Sequence, residues 1–370
     1  MKNSIETYKV ELTTITPIHI GTGEDYVPVD YVIKNNEDGK YFFYFILRDK
    51  FIDYITNTGK YDEFLKICNE NDFMKINKFI YDNFHEEMSD WKMPVSKSVT
   101  ATYNDNISGK VKKIETNRLE IRSFVHDSFK KNIYIPGSSI KGSIRTAVLN
   151  YKIKNGKKAY FPPNEIYGKP KAVDFEKSIL NIKAKDNSDD PFRLVKVSDF
   201  MPETDDKRLS FVDRVINVKS GKDFTEGKGV PVFMELALRE KKFIGSITII
   251  HNNAANQENI NINMIRDAMN YHYGESCYNF ESKTFPNVFN NNIISLFEKN
   301  KDEIKINKNE FLMKIGNHSG AFEVTMEGYR KIKIKNKYSY SESDRQTTLW
   351  IYDMNEFNKY PLGWVKCNII

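Results

Sequence analysis

Cysteine is scarce in this 370-residue chain, and its few thiols are far apart. The three cysteines are Cys68, Cys277 and Cys367, and no two of them form a C-x-x-C pair. An odd number of separated thiols argues against a disulfide framework and against a thiolate metal site, and it fits a reducing compartment. The six histidines lack H-E-x-x-H spacing, and His126-Asp127 is a lone His-Asp pair. We therefore expect no metal and no other cofactor.

Long hydrophobic runs are also missing. No stretch approaches the ~20 apolar residues that span a membrane, and the mean hydropathy is −0.58. The first residues, MKNSIETYKVEL, do not follow the pattern of a secretory signal peptide. We expect a folded cytoplasmic protein without membrane contact, whose length suffices for two domains with cores of their own.

Two common phosphate-binding loops are excluded by their spacing. In a P-loop, G-x-x-x-x-G-K-[ST], the lysine follows the second glycine, but Gly142 is followed by Ser143 and preceded by Lys141. The dinucleotide fingerprint needs a third glycine where this chain has Tyr26, three residues after Gly23. Nucleoside triphosphates and dinucleotides are therefore poor candidates as ligands.

Residues 135–147 (IPGSSIKGSIRTA) combine a rigid turn, a helix start and two cations. Pro136 and Gly137 end an apolar strand, and either of the next two serines can cap a helix. Unpaired amides and the positive end of the helix dipole favour an anion at such a start. The residues expected to hold that anion are Ser138, Ser139, Lys141 and Arg145. An ordinary capped helix with a solvated lysine is the alternative interpretation.

Two later segments have similar character. Residues 314–320 (KIGNHSG) predict a strand that enters a glycine-flanked loop, whose amides can face a phosphate or simply form a turn. Residues 329–340 (YRKIKIKNKYSY) alternate lysine with apolar residues, which predicts a strand with one basic face. The lysines of that face are Lys331, Lys333, Lys335 and Lys337, and the tyrosines that could stack on bases are Tyr329, Tyr338 and Tyr340. Lysines that protect an edge strand from aggregation are the alternative.

Hydrophobic periodicity indicates an α+β protein with antiparallel sheets. Strands are predicted at residues 8–20, 27–33 and 41–47, the last two joined by the hairpin turn Asn35-Asn36-Glu37-Asp38-Gly39. Apolar residues then recur at spacings of three and four, which predicts a helical insertion at about residues 48–91. We expect a first domain over residues 1–205 and a second over residues 206–370. The small excess of 56 Lys and Arg over 50 Asp and Glu permits polyanion binding without requiring it.

Three segments together resemble a known family. PIHIGTGEDYVPVDYVI at residues 17–33, IPGSSIKGSIRTA and the loop IGNHSG resemble the RAMP superfamily of CRISPR-associated RNA-binding proteins, in the same order along the chain. PVDYVI, the length and the ending YPLGWVK are most similar to the fifth Csm subunit of type III-A effector complexes. The resemblance covers the whole chain. It implies two ferredoxin-like, RRM-related domains, and a subunit that binds the guide RNA (crRNA) near its 3′ end.

The resemblance also implies the partners and the site. The partners would be crRNA, the backbone and other Csm subunits, and recruited host nucleases, and the subunit would cap the complex and assist crRNA maturation. The predicted RNA-contacting residues are His19, Thr22, Ser138, Ser139, Lys141, Arg145, Asn317, His318, Ser319, Lys331, Lys333 and Lys335.

Three classes of function remain open at the level of sequence. The first is a non-catalytic RNA-binding subunit. The second is a metal-independent endoribonuclease that processes precursor crRNA, with His19 as a general base, although the sequence offers no assured acid beside it. The third is an adaptor that contacts only proteins, with the insertion at residues 48–91 as its docking surface.

Overall fold

The computed structural model describes residues 4–110, 119–161, 171–203, 209–221, 223, 226, 232–251, 259–335, 340–355 and 358–370. The α-helices are α1 (Arg48–Asn57), α2 (Tyr61–Asn69), α3 (Phe73–Asn83), α4 (Lys97–Ile107), α5 (Gly137–Lys154), α6 (Ala172–Ile179), α7 (Ile262–Met269), α8 (Tyr278–Thr284) and α9 (Asn291–Ile306). A π-helical segment, Asn270–Cys277, joins α7 to α8.

The strands alternate with these helices along the chain. They are β1 (Ser4–Thr14), β2 (Gly21–Tyr26), β3 (Tyr31–Asn35), β4 (Tyr41–Ile46), β5 (Ser89–Pro94), β6 (Ile121–Phe124), β7 (Val195–Val197), β8 (Met201–Pro202), β9 (Ser210–Lys219), β10 (Val232–Ala237), β11 (Lys242–His251), β12 (Glu310–Lys314), β13 (Ile332–Lys335), β14 (Tyr340–Ser343), β15 (Thr348–Asn355), β16 (Asn358–Pro361) and β17 (Trp364–Ile369). The predicted mixture of helices and strands is confirmed.

Two six-stranded sheets form the body of the protein. The first has the order β12-β17-β1-β11-β7, with β8 also paired to β11, and its strand pairs are antiparallel. The second has the order β16-β15-β9-β10-β6-β2. The prediction of antiparallel sheets is wrong for one strand pair of this second sheet. β10 and β6 run parallel, with Phe233 opposite Ile121.

The predicted boundary between residues 205 and 206 does not separate the sheets. β1, from the start of the chain, pairs on one side with β11 and on the other with β17. The second sheet likewise places β2 and β6 with strands from beyond residue 205. Chain order suggested two consecutive domains, whereas long-range strand pairing interleaves the two halves of the chain.

The insertion contains a small β-sheet in addition to the predicted helices. Its helices α1 to α3 lie within residues 48–91 as expected, and the hairpin is confirmed, with Asn36 N donating to the Lys40 carbonyl at 2.8 Å. However, β3 and β4 do not join a main sheet. They form a separate three-stranded sheet with β5, in which β4 lies between β3 and β5. Because strand residues alternate between faces, Tyr31 and Val32 enter different hydrophobic clusters, one on each face of this sheet.

The main hydrophobic cluster fixes α5 against the body. Ile140, Ile144, Ala147 and Val148 form one face of α5 and are fully buried, as their helical spacing predicts. Each large side chain of this kind contributes about 1.5–3 kcal/mol on burial. The start of α5 is therefore held firmly in place. Among the described helices, none combines the length and the apolar character needed to cross a membrane.

Candidate nucleic-acid interface

Three segments that are far apart in sequence meet at one groove of about 420 Å³. The β1–β2 connection, the first turns of α5 and the loop after β12 form its walls. The lining residues are Ile20, Gly21, Ser138, Ser139, Gly142, Ser143, Thr146, Tyr273, Ile315, Gly316, Asn317, Ser319 and Val324. Six of these thirteen residues have small side chains with a hydroxyl or amide group, and three more are glycines. A chain with exposed phosphates and hydroxyls could therefore approach the backbone closely.

The start of α5 differs from the predicted capped helix. The helix begins at Gly137 after Pro136, which provides no side-chain cap, so the prediction that Ser138 or Ser139 caps it is wrong. The Gly137 amide instead donates to Asp199 Oδ1 at 2.8 Å. A Cβ atom at Gly137 would overlap backbone carbonyls of the β7 segment, so glycine is required for this close packing. Both serines are left to line the groove.

The loop after β12 is held against the β1–β2 connection. Asn317 N donates to the His19 carbonyl oxygen at 2.9 Å, and a Cβ at Gly316, where φ is +92°, would overlap that same oxygen. Ser319 is buried and donates from Oγ to the Gly316 carbonyl at 2.9 Å, so its hydroxyl stabilises the loop itself. Asn317 is exposed and lines the groove. Asn317 is therefore the residue of this loop that is best placed to contact a ligand.

His318 is used within the protein. Its Nε2 accepts from Arg122 Nη1 at 2.7 Å, and its ring lies 4.4 Å from that of Trp350. Burial and the Arg122 charge lower the pKa of His318 to about 4, which keeps the imidazole a neutral acceptor. The sequence pattern singled out His318 but not Arg122 or Trp350, because both come from strands far away in the chain.

The His19 ring lies in the interior. It is 1% exposed, and its Nδ1 donates to the Glu235 carbonyl oxygen at 2.8 Å. Burial lowers the pKa of His19, and its Nε2 has no partner among the described residues. The prediction that this ring contacts RNA directly is contradicted by its burial. His19 instead supports the groove from below, through its carbonyl bond to Asn317.

Thr22 lies beside this connection on β2. Its side chain is exposed, and its Oγ1 is 2.8 Å from Ser123 Oγ. Thr22 follows Gly21, which lines the groove, but is not itself a lining residue.

The two cations of α5 have different environments. The Arg145 guanidinium pairs with Glu176 at 3.0 Å and with Asp190 at 2.9 Å, and it lies over the Phe192 ring. This internal ion pairing contradicts the prediction that Arg145 holds a phosphate. Lys141 makes no ion pair with the described residues, and burial together with the nearby Lys196 ammonium lowers its pKa. Lys141 therefore remains available to an anion.

The lysine-rich segment forms a separate hairpin. Lys331 is exposed and precedes β13, while Lys333 and Lys335 lie in β13, which among the described strands pairs only with β14. Lys337 and Tyr338 lie outside the described residues. Tyr329 was predicted to stack on bases, but its side chain is used within the protein. Its hydroxyl accepts from the Ala159 amide at 2.9 Å, and its ring packs on Phe175.

A buried ion cluster anchors the loop and was not found from the sequence. Lys314 ends β12 and contacts the Glu281 carboxylate, with Glu323 at 3.5 Å, and all three side chains are fully buried. Trp364 donates from Nε1 to Glu281 at 2.9 Å. Burial and the Glu281 charge raise the pKa of Glu323. The cluster fixes both ends of the loop without reaching the groove.

The groove offers binding groups rather than an acid-base pair. Its hydroxyls and amides can contact phosphate and ribose oxygens. Lys141 is not among the lining residues, and the charged groups near it are Lys196, Asp190 and Arg145. Across the described part of the chain, no three His, Cys, Asp or Glu side chains are grouped so that they could hold a metal ion.

The fold and the groove occur in a chain that belongs to the RAMP superfamily, whose family model matches residues 11–346. Two individual proteins similar to this chain narrow the comparison within the superfamily. The chain is 32% identical over 222 residues to the CRISPR system Cms protein Csm5 of Streptococcus thermophilus, an alignment that covers 58% of this chain and only 57% of that protein. It is 25% identical over 402 residues to the Csm5 protein of Methanocaldococcus jannaschii, covering 98% and 89% of the two chains. The resemblance predicted from sequence is confirmed.

Solved structures share the fold. A chain in a cryo-EM structure of a Csm-crRNA-target RNA ternary complex of a type III-A CRISPR-Cas system aligns with a TM-score of 0.62 and 19% identity, covering 97% of this chain and 99% of that chain. The crystal structure of T. onnurineus Csm5 aligns with a TM-score of 0.59 and 16% identity, covering 97% and 100%.

Proposed function

We propose that this protein is a non-catalytic RNA-binding subunit of a type III-A CRISPR (Csm) effector complex, which caps the complex at the crRNA 3′ end and assists crRNA maturation. The observation that carries the proposal is the meeting of three distant segments at one groove lined by serine, threonine, asparagine and glycine residues. Similarity to two Csm5 proteins and to a chain of a Csm-crRNA-target RNA complex supports it. Its partners would be crRNA, the backbone and other Csm subunits, and recruited host nucleases.

The groove residues have distinct roles in this proposal. Ser138, Ser139 and Asn317 hydrogen-bond phosphate or ribose oxygens, and Lys141 neutralises a phosphate beside them. Gly142 has open space around it and allows the RNA backbone to approach α5 closely.

A ferredoxin-like unit is part of the same proposal. The chain order β1, α5, β7, β11, then α7 to α9 and β17 follows the β-α-β-β-α-β pattern, and the spatial order β17-β1-β11-β7 is continuous. β12 is then an additional edge strand. The second predicted ferredoxin-like domain remains a prediction for the second sheet.

The non-catalytic assignment depends on His19. Its ring is buried and bonds through Nδ1 to a backbone carbonyl, so it lacks the exposed position and acid partner of a ribonuclease base. Incubation of the full chain with precursor crRNA and a chelator tests this. We expect no specific cleavage, whereas cleavage that His19→Ala abolishes would establish the endoribonuclease alternative.

RNA binding is tested with Asn317→Ala and Lys141→Ala, by fluorescence anisotropy with a labelled single-stranded crRNA. Because a hydrogen bond to a charged group is worth ~1.5–3 kcal/mol, Asn317→Ala should weaken binding about tenfold or more. Lys141→Ala should reduce the slope of log K against log salt by ~0.7, the contribution of one phosphate on a single strand.

The matched control is Lys66→Ala, at an exposed lysine of α2 that lines neither the groove nor the cavity described below. Its affinity and salt slope should equal those of the wild type. Arg145→Ala is unsuitable, because it would break internal ion pairs. Wild-type RNA binding by both groove variants would refute the assignment of the site.

A further inference from the structure

A second and larger cavity, of about 700 Å³, lies between the insertion and the main body. β4 and β5 of the insertion form one side, and the turn at residues 126–133 forms the other. The residues that carry its chemistry are Phe42, Trp91, Lys92, His126, Phe129, Lys130 and Lys131. Its volume falls in the range of pockets that hold small ligands. None of the predicted RNA-contacting residues lies here.

The turn presents an aromatic ring to solvent. Phe129 is 95% exposed, which is unusual for so large an apolar side chain. Asp127 Oδ1 accepts from the amides of Phe129 at 3.0 Å and Lys130 at 2.7 Å, and Lys131 adopts φ +56°. The exposed ring therefore sits on a hydrogen-bonded turn of defined shape, directly before two lysines in the sequence.

The opposite wall is aromatic and rigid. Trp91 stacks on Phe45 with ring centroids 5.6 Å apart and an interplanar angle of 7°, and it lies 5.0 Å from the His126 ring. His126 Nε2 is 2.9 Å from the fully buried Glu235 carboxylate, which fixes the imidazole. These contacts hold the aromatic wall in a fixed arrangement.

The rim combines ammonium and carboxylate groups. Lys92, Lys130 and Lys131 lie on it together with two carboxylates, Glu86 and Asp90. Glu86 contacts Lys92, and Asp90 lies 3.7 Å from Lys131. Exposed aromatic rings beside ammonium groups are the combination that holds unpaired nucleotides, through base stacking and phosphate attraction.

We propose that this cavity is a second RNA subsite, which binds an unpaired nucleotide with its base stacked on Phe129 and its phosphate beside the rim lysines. The proposal rests on the proposed function and extends it. Ile133 lines the cavity and Ser138 lines the groove, only five residues further along the chain. Five residues span at most ~18 Å, so one single strand can occupy both sites.

The test uses the full chain, a labelled single-stranded crRNA and three variants measured by fluorescence anisotropy. Stacking is worth ~1–3 kcal/mol per base, so Phe129→Ala should weaken binding about 5-fold to 100-fold. Phe129→Trp should keep wild-type affinity, because stacking needs only an aromatic face. The control is Phe73→Ala, at a 63% exposed phenylalanine of α3 outside the cavity, and it should bind as the wild type does.

The outcomes separate this proposal from the preceding one. If Phe129→Ala binds RNA as tightly as the wild type while Asn317→Ala is weakened, the subsite is refuted and the groove stands. If Phe129→Ala binds RNA normally but no longer co-purifies with neighbouring Csm subunits, the cavity is a protein contact and the proposal is overturned. If the wild-type chain binds no RNA, both proposals fall. Thermal unfolding of Phe129→Ala should match the wild type, since the ring is exposed.

Discussion

Glu235 connects the two regions proposed to contact RNA. Its carboxylate is buried and is bonded by His126, by Ser210 at 2.7 Å and by Tyr26 at 3.0 Å. Its backbone carbonyl accepts from His19, beneath the groove. Burial alone would raise the pKa of Glu235, but the His126 charge and these donors lower it, so the carboxylate stays ionised. One residue of β10 thus positions a histidine of each region.

At the scale of single residues, sequence reasoning selected segments that do come together, but it did not foresee which groups their side chains bond. Glycine-flanked positions indicated His19 and His318, and both do lie in or under the groove walls. Their rings are used internally because Glu235 and Arg122 approach from strands about 200 residues away in sequence. A local pattern contains no information about such partners. The same limit explains Arg145, whose carboxylate partners follow α5 in the chain.

The buried His272 predicts an acid-sensitive fold. Its Nε2 donates to the Glu323 carbonyl at 2.9 Å, and burial lowers its pKa to about 4. The unfolded chain protonates this histidine near pH 6.5. Stability is therefore full above that pH and is lost as the pH falls from ~6.5 towards 4. At pH 5 this single group should cost about 2 kcal/mol.

Denaturant unfolding at pH 7 and pH 5 measures this effect in the wild type and in His272→Gln, which keeps a donor for the carbonyl. We expect the loss of stability between the two pH values to be smaller in the variant by about 2 kcal/mol. The control His85→Gln, at an exposed histidine, should show the wild-type loss. An unchanged pH dependence in His272→Gln would contradict this role of the buried imidazole.

At the scale of elements, α5 combines a constrained start with an open surface. Gly137 is enclosed by backbone of the β7 segment, whereas Gly142, one and a half turns later, has nothing near its missing Cβ. A glycine inside a helix costs ~0.5–1 kcal/mol relative to alanine. Close packing therefore explains why position 137 is a glycine, but it does not explain the glycine at position 142. We propose that Gly142 leaves room for RNA to approach the helix.

Two alanine substitutions in α5 should have opposite effects. Gly142→Ala should stabilise the protein by ~0.5–1 kcal/mol, because it improves helix propensity, and should weaken RNA binding by narrowing the groove. Gly137→Ala should destabilise the protein by ~1–3 kcal/mol, as overpacking against backbone does. Thermal unfolding and anisotropy measure both effects. If Gly142→Ala is more stable and binds RNA normally, the groove floor is not where RNA passes.

At this scale the sequence predicted α5 well because its apolar face repeats every three to four residues. The hairpin turn, the insertion helices and the strand into the 315–320 loop were predicted for similar local reasons. The missing side-chain cap could not be foreseen, because Asp199 supplies the acceptor for the first helical amide from another segment.

At the scale of the whole molecule, the sheets interleave the two halves of the chain. β1 lies between β11 and β17, and β2 lies in the other sheet beside β6. Periodicity predicts strands but not their partners, so a division by chain order placed the boundary at residue 205. The interleaving brings residues 20–21, 138–146 and 315–319 to one groove, the site proposed to bind RNA.

Photocrosslinking tests most directly whether RNA occupies this groove. The full chain is irradiated with single-stranded crRNA that carries 4-thiouridine, and the crosslinked peptides are identified by mass spectrometry. We predict crosslinks in residues 138–146 and 315–320, with a further set in residues 126–133 from the cavity. Crosslinks confined to the insertion helices α1 to α3, with none in either groove segment, would contradict the proposed path of the RNA.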